Sequence, residues 1–153
     1  MVVRIYLRFF FLLLMVTILF SDETIAKQCA YVFILDSIIA SLCFYLFPTK
    51  MPALYLNDPN MSGQIMKLIR FIDGNYNCFP SLHIANSLGL TYLFNLKRSL
   101  PVKIIFWTWF ALISYSVLSI KQHYFIDVLG GISLAVINIM IVRYFKRLEV
   151  KII

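Results

Sequence analysis

Charge is scarce in this sequence. Asp, Glu, Lys and Arg make up 14% of its 153 residues, while 61% are hydrophobic. A soluble domain is roughly 25% charged, and a chain this short has too little interior to hide such an apolar excess. Acidic residues are the scarcer kind, seven against 14 Lys and Arg. Glycine and proline number five each, which excludes collagen-like and low-complexity disordered chains. Three cysteines, Cys29, Cys43 and Cys78, are too few for a disulfide scaffold and lack metal-ligand spacing. Cys29 and Cys43 fall in apolar runs and read as core thiols. What remains is an integral membrane protein, in keeping with a mean hydropathy of +0.86. The net charge of +7 sits at the ends of apolar runs. That is the positive-inside pattern and not a nucleic-acid footprint.

A helix needs about 20 apolar residues to cross roughly 30 Å of hydrocarbon. Five runs approach that length: Ile5–Phe20, Cys29–Phe47, Pro80–Leu96, Ile104–Ile120 and Tyr124–Tyr144. The first starts basic and is short, as a signal peptide would be, but no A-x-A-like site follows, so it reads as a retained helix. Ser21–Gln28 reads as a short polar loop, and Lys97–Lys103 as a tight basic turn closed by Pro101. In the long connection Pro48–Phe79, Ile65, Leu68, Ile69 and Ile72 recur at helical spacing with Lys67 and Arg70 off that face. This predicts a short amphipathic helix on the membrane surface. The expected fold is therefore all-α, a single membrane domain over residues 1–153 with about five transmembrane helices and one interfacial helix.

Lysine and arginine set the orientation. The 21–28 loop, the 97–103 turn and the tail hold eight, and the other side holds six. The tail is placed in the cytoplasm and the long loop outside, with Arg4 and Arg8 then also outside. Asn60-Met61-Ser62 fits a glycosylation sequon, relevant only in a eukaryotic secretory membrane. Asp36, near the middle of the second run, is expected to face the bundle interior and pair with a base.

The two histidines, His83 and His123, are 40 residues apart. The intervening chain makes one helical hairpin, out and back across the bilayer, so both rings return to the same face. Asp127 follows His123 by four residues, one helical turn away. A carboxylate there fixes the imidazole tautomer and makes it a better nucleophile or base. The bland alternative is an ordinary interfacial His–Asp pair. Phe79-Pro80-Ser81-Leu82-His83 reads as a helix start, with Pro80 in the first turn and free N–H groups suited to phosphate. Ser81 either adds a hydroxyl to that site or simply caps the helix. Lys121 and Lys50 lie on the same outer side and can balance phosphate charge, although Lys50 could equally snorkel at the end of the second run.

These residues resemble the type 2 phosphatidic acid phosphatase superfamily. Phe79-Pro80-Ser81-Leu82-His83 is similar to its Pro-Ser-x-His signature, and Ser116, His123 and Asp127 match the spacing of its Ser-Arg, five residues, His, three residues, Asp signature. Lys121-Gln122-His123-Tyr124-Phe125-Ile126-Asp127 with Gly130-Gly131 resembles a lysine-bearing branch that includes inositol phosphorylceramide synthase-like enzymes. The resemblance covers about residues 46–135. Two departures stand out. Val117 replaces the arginine, and Pro48-Thr49-Lys50-Met51-Pro52 occupies the place of the first signature, Lys, six residues, Arg-Pro, without completing it. Membrane members have six spans and a site facing away from the cytoplasm, so a shortened member lacking the first span is expected.

The resemblance implies hydrolysis of a lipid phosphomonoester or an isoprenyl diphosphate through a phosphohistidine, with no metal and no cofactor. His123 is then the nucleophile, Asp127 its partner and His83 the general acid and base. Lys121, Ser81 and Lys50 hold the phosphate. Two alternatives remain: transfer of a phosphoryl or phospho-headgroup to a lipid acceptor, and a non-catalytic protein that binds lipid phosphates. The expected location is a membrane, the inner membrane in a bacterium.

Overall fold

A computed structural model describes residues 22–52, 63, 64, 67 and 76–152, with side chains up to residue 147. Four α-helices are described: α1 (Glu23–Leu46), α2 (Leu82–Phe94), α3 (Leu100–Ser119) and α4 (Phe125–Ile152), with a 3-10 turn over Asn95–Lys97. The run Ile5–Phe20, Asn60 and, apart from Lys67, the surface helix expected around Ile65–Ile72 lie outside the described residues. Among the described residues, three helices are long and apolar enough to cross a membrane: Glu23–Leu46, Leu100–Ser119 and the Phe125–Arg147 part of α4.

The third apolar run behaves differently. Helix α2 has 13 residues, a length of about 20 Å. Ten of those residues are buried, and α1, α3 and α4 all pack against it. It is the central post of the bundle. Being shielded from lipid by protein, it tolerates polar groups: Asn86, Ser87 and Thr91 are buried along it.

Two expected loops are largely taken up by helix, with Arg98 and Ser99 left as the connection before α3. The stretch taken as the 21–28 loop begins α1, because Asp22 accepts the Ile25 N–H at 2.9 Å as an N-cap and Glu23 pairs with Lys27 one turn on at 2.7 Å. Likewise α3 starts at Leu100 and takes in Pro101 and Lys103 from the expected basic turn. Proline belongs in a first turn, where its missing N–H would have had no partner.

The ends of the bundle differ in chemistry. Lys97 reaches Asp22 at 2.8 Å, and Arg143 bonds the Tyr92 hydroxyl and lies over its ring. That end gathers the start of α1, the end of α2 and the basic part of α4. The Lys97 ammonium and the Ile25 N–H together hold the Asp22 carboxyl below its usual range. Both histidines lie at the opposite end.

Midway along the bundle, Asn138 of α4 donates to the fully buried Asp36 of α1 at 2.7 Å. The expected basic partner of Asp36 is thus an amide. An amide donor satisfies a carboxyl oxygen without bringing a second charge into the bilayer.

Glycines set the helix separations. A Cβ on Gly131 would meet the Ser81 carbonyl at 2.5 Å, and one on Gly89 would meet a Val32 methyl at 2.7 Å. Backbone cannot rotate away as a valine methyl can. Gly131→Ala is therefore expected to cost about 1–3 kcal/mol and Gly89→Ala less, measured as thermal unfolding in detergent. Equal costs would contradict this account of the α2–α4 contact.

Candidate active site

The first turn of α2 is fastened to the first turn of α4. The Ser81 N–H donates to the Asp127 carbonyl at 3.0 Å, and Gly131 lets the helices close over that bond. Ser81 remains extended, with φ −71° and ψ 108°, and α2 begins at Leu82. Pro80 therefore precedes the cap instead of occupying the first turn, because the Ser81 amide faces Asp127. His83 sits in that first turn.

Helix α3 delivers His123 through a tight stop. The Gln122 N–H returns to the Val117 carbonyl at 3.1 Å and the Lys121 N–H to the Leu118 carbonyl at 3.0 Å. This helix-ending pair of bonds needs a left-handed residue, usually glycine, and Lys121 supplies it with φ 50°. The chain then turns through His123 and starts α4, where Asp127 Oδ2 accepts the Tyr124 N–H at 2.8 Å.

The two imidazoles meet edge to face, with ring centroids 5.8 Å apart. Both line a cavity of about 240 Å³ together with Phe44, Tyr76, Asn77, Cys78, Leu82 and Gln122. The hairpin expectation for the histidines matches this geometry. His123 and Asp127 are buried, and His83 is half-buried.

His123 Nδ1 lies 2.9 Å from the Cys78 carbonyl oxygen and 3.6 Å from Asp127 Oδ2. A carbonyl only accepts, so Nδ1 carries a proton, and in the neutral ring Nε2 then keeps its lone pair. At 3.6 Å the carboxylate is beyond hydrogen-bond range and acts by charge. The Cys78 thiol takes a backbone bond from Met51, yet burial and then the nearby Asp127 charge push it above its usual value. It therefore stays a neutral thiol beside the histidine.

The three expected phosphate ligands are placed differently from one another. Lys50 pairs with Tyr76 in an isolated antiparallel bridge, its Nζ 4.9 Å from the centre of the Tyr76 ring, and so stands beside the cavity wall. Lys121 is exposed on the turn before His123. Ser81 is fully buried, and its hydroxyl makes no hydrogen bond among the described residues. None of the three lines the cavity. Val117, where the family signature has arginine, is fully buried against Ile84, Ile120 and Val128. Sequence reasoning missed Thr49, Tyr76 and Cys78. Their only signal was closeness to Lys50 or to Phe79-Pro80-Ser81, since a backbone carbonyl partner leaves no mark in residue type.

Comparisons with known proteins cover most of the chain. No curated protein sequence matches it. In structure it is similar to LpxE of Aquifex aeolicus, with a TM-score of 0.64 and 20% identity over 90% of this chain and 77% of that one. That likeness establishes a shared fold. The sequence profile of the PAP2 superfamily matches residues 4–141, a stretch that includes both histidines and Asp127. The protein belongs to the PAP2 superfamily.

Proposed function

We propose that the protein hydrolyses the phosphomonoester or diphosphate of a membrane lipid through a phosphohistidine on His123. The observation that carries this reading is the pair of imidazoles on one cavity, with ring centroids 5.8 Å apart. In the first step His123 Nε2 attacks the terminal phosphorus in line and its P–O bond to the leaving group breaks, an ester bond in a phosphomonoester and the anhydride bond in a diphosphate. His83 gives its proton to the leaving lipid oxygen. In the second step His83 takes a proton from water, the water oxygen bonds phosphorus, and the P–N bond breaks. Inorganic phosphate leaves and both rings return to their starting states.

Charge develops on His123 as it bonds phosphorus, and Asp127 at 3.6 Å stabilises it. The first turn of α2 borders the same cavity through Leu82 and His83, and a helix start suits phosphoryl oxygens. Lys50 adds a cation at the cavity edge, and Lys121 another on the His123 turn. Phe44 and Leu82 give the cavity an apolar side that fits an acyl or isoprenyl chain. The basic end of the bundle, placed in the cytoplasm by the positive-inside rule, leaves the histidine end facing away from it.

A second reading is binding of lipid phosphates without turnover. Val117 favours it, because the arginine position of the signature is filled by a core residue. Transfer of the phosphoryl group to a lipid alcohol uses the same first step, and product formed only with added acceptor would identify it.

Phosphate release from lipid phosphates and isoprenyl diphosphates in detergent tests the reading. His123→Ala is expected to abolish release, and equal rates for wild type and variant would overturn the hydrolytic mechanism. Because His83 also serves the second step, its acid role is read from first-turnover release of the leaving alcohol: His83→Ala is expected to slow that release about 10²–10⁴-fold on a lipid phosphate and much less on an aryl phosphate, whose leaving group needs no proton. Equal losses on both substrates would remove His83 as general acid.

Lys121→Gly separates backbone from charge. Glycine suits φ 50° better than lysine, by about 1 kcal/mol. The thermal midpoint is therefore expected to hold or rise while phosphate release falls. An unchanged rate would exclude Lys121 from phosphate contact.

A further inference from the structure

The orientation of His123 does not come from Asp127 alone. Its Nδ1 proton goes to the Cys78 carbonyl at 2.9 Å, while Asp127 Oδ2 is 3.6 Å away and takes the Tyr124 N–H at 2.8 Å. The position of that carbonyl depends on what holds residues 77–79. The answer lies 28 residues earlier in the chain, in Thr49. The Thr49 hydroxyl oxygen accepts the Cys78 N–H at 2.9 Å and the Phe79 N–H at 3.0 Å, and the Thr49 carbonyl accepts the Asn77 N–H at 2.9 Å. Three successive amides therefore end on one residue. Asn77 makes the convergence possible with a left-handed φ of 62°, a conformation asparagine tolerates.

We propose that Thr49 is a positioning residue for His123, acting through the Cys78 carbonyl to hold the imidazole as its Nδ1–H tautomer. The proposal rests on the reading of His123 as nucleophile. A neutral imidazole attacks through whichever nitrogen lacks the proton. With the Cys78 carbonyl in place, that nitrogen is Nε2. If the 77–79 backbone drifts, Nδ1 loses its acceptor, the tautomer carrying the proton on Nε2 becomes populated, and that fraction cannot attack. Asp127 does not replace the carbonyl without moving, because of its distance and its existing bond to Tyr124. Thr49 thus controls a proton that it never touches. The same contacts place Tyr76 and Lys50 beside the cavity, through the bridge between residues 50 and 76.

Thr49→Val keeps the shape and removes the hydroxyl acceptor. Thr49→Ser keeps the acceptor. In full-length protein in detergent, Thr49→Val is expected to lower kcat about tenfold with KM little changed, and Thr49→Ser to restore it to within about twofold. With two histidines in the chain, ¹⁵N-histidine NMR reads the tautomer directly, the His123 signals being assigned with a His83→Gln variant. Wild type is expected to show the Nδ1–H pattern at His123, and Thr49→Val a shift toward Nε2–H.

The proposal is overturned if Thr49→Val leaves the His123 pattern and kcat as in wild type. It is also overturned if the valine variant loses activity only in proportion to folded protein and serine gives no rescue. The nucleophile reading fails separately, if His123→Ala matches wild type in phosphate release. In that event the ¹⁵N pattern of Thr49→Val still decides whether Thr49 sets the tautomer.

Discussion

The closest approach that matters in this protein is between two backbones. Helix α4 can lie on the start of α2 only because position 131 has no Cβ to strike the Ser81 carbonyl. That proximity permits the Ser81 N–H to reach the Asp127 carbonyl, and the bond fixes the first turn of α2 relative to the first turn of α4. His83 belongs to one turn, and Asp127 to the other, with His123 just ahead of it. Their mutual geometry is thus set by main-chain contacts, which have fewer alternative conformations than side chains. A reaction that needs two imidazoles on one phosphorus atom gains from such rigidity, because small errors of placement cost large factors in rate.

The central place of α2 follows from the same packing. A helix of about 20 Å cannot by itself cover the hydrocarbon layer, but one surrounded by three longer helices need not meet lipid. Protein walls allow Asn86, Ser87 and Thr91 on its faces, residues that a lipid-exposed helix would disfavour. The Asp36–Asn138 bond joins α1 to α4 beside this post. Together these contacts tie each neighbouring helix to α2 or to one another, and the histidine end inherits the alignment.

Much of this arrangement was legible in the sequence. The spacing of His83 and His123 around a single hairpin placed both at one end, and the apolar runs located α1, α3 and α4, although α1 starts before its run and α4 continues past its run to Ile152. What escaped falls into two kinds. Helix starts were set too late where capping lay in polar residues: Asp22 and Glu23 begin α1 outside the apolar run, and Pro101 sits inside α3. Partners escaped where the contact is long-range or main-chain. Nothing in the type of Asn138 announces Asp36, 102 residues away. Nothing in Cys78 announces that its carbonyl, and not its thiol, faces the histidine. The left-handed Lys121 carries no signal either, since lysine is a poor predictor of that conformation.

In the proposed mechanism, the geometry around His123 also divides a task that a single carboxylate is often asked to perform. A nucleophilic imidazole needs its proton on the far nitrogen before attack and a counter-charge once it has bonded phosphorus. A carbonyl serves the first need well, since it accepts a hydrogen bond and cannot itself take the proton away. It serves the second poorly, having no net charge. Asp127 is in the opposite position: at 3.6 Å it is too far to fix the tautomer yet near enough to stabilise a cation in a buried site. Its bond to the Tyr124 N–H holds it there. Because the carboxylate does not share the Nδ1 proton, the ring keeps a definite tautomer before substrate arrives, and the electrostatic stabilisation grows only as charge appears. That difference between ground state and transition state is what lowers a barrier, whereas an equally strong contact in both would not.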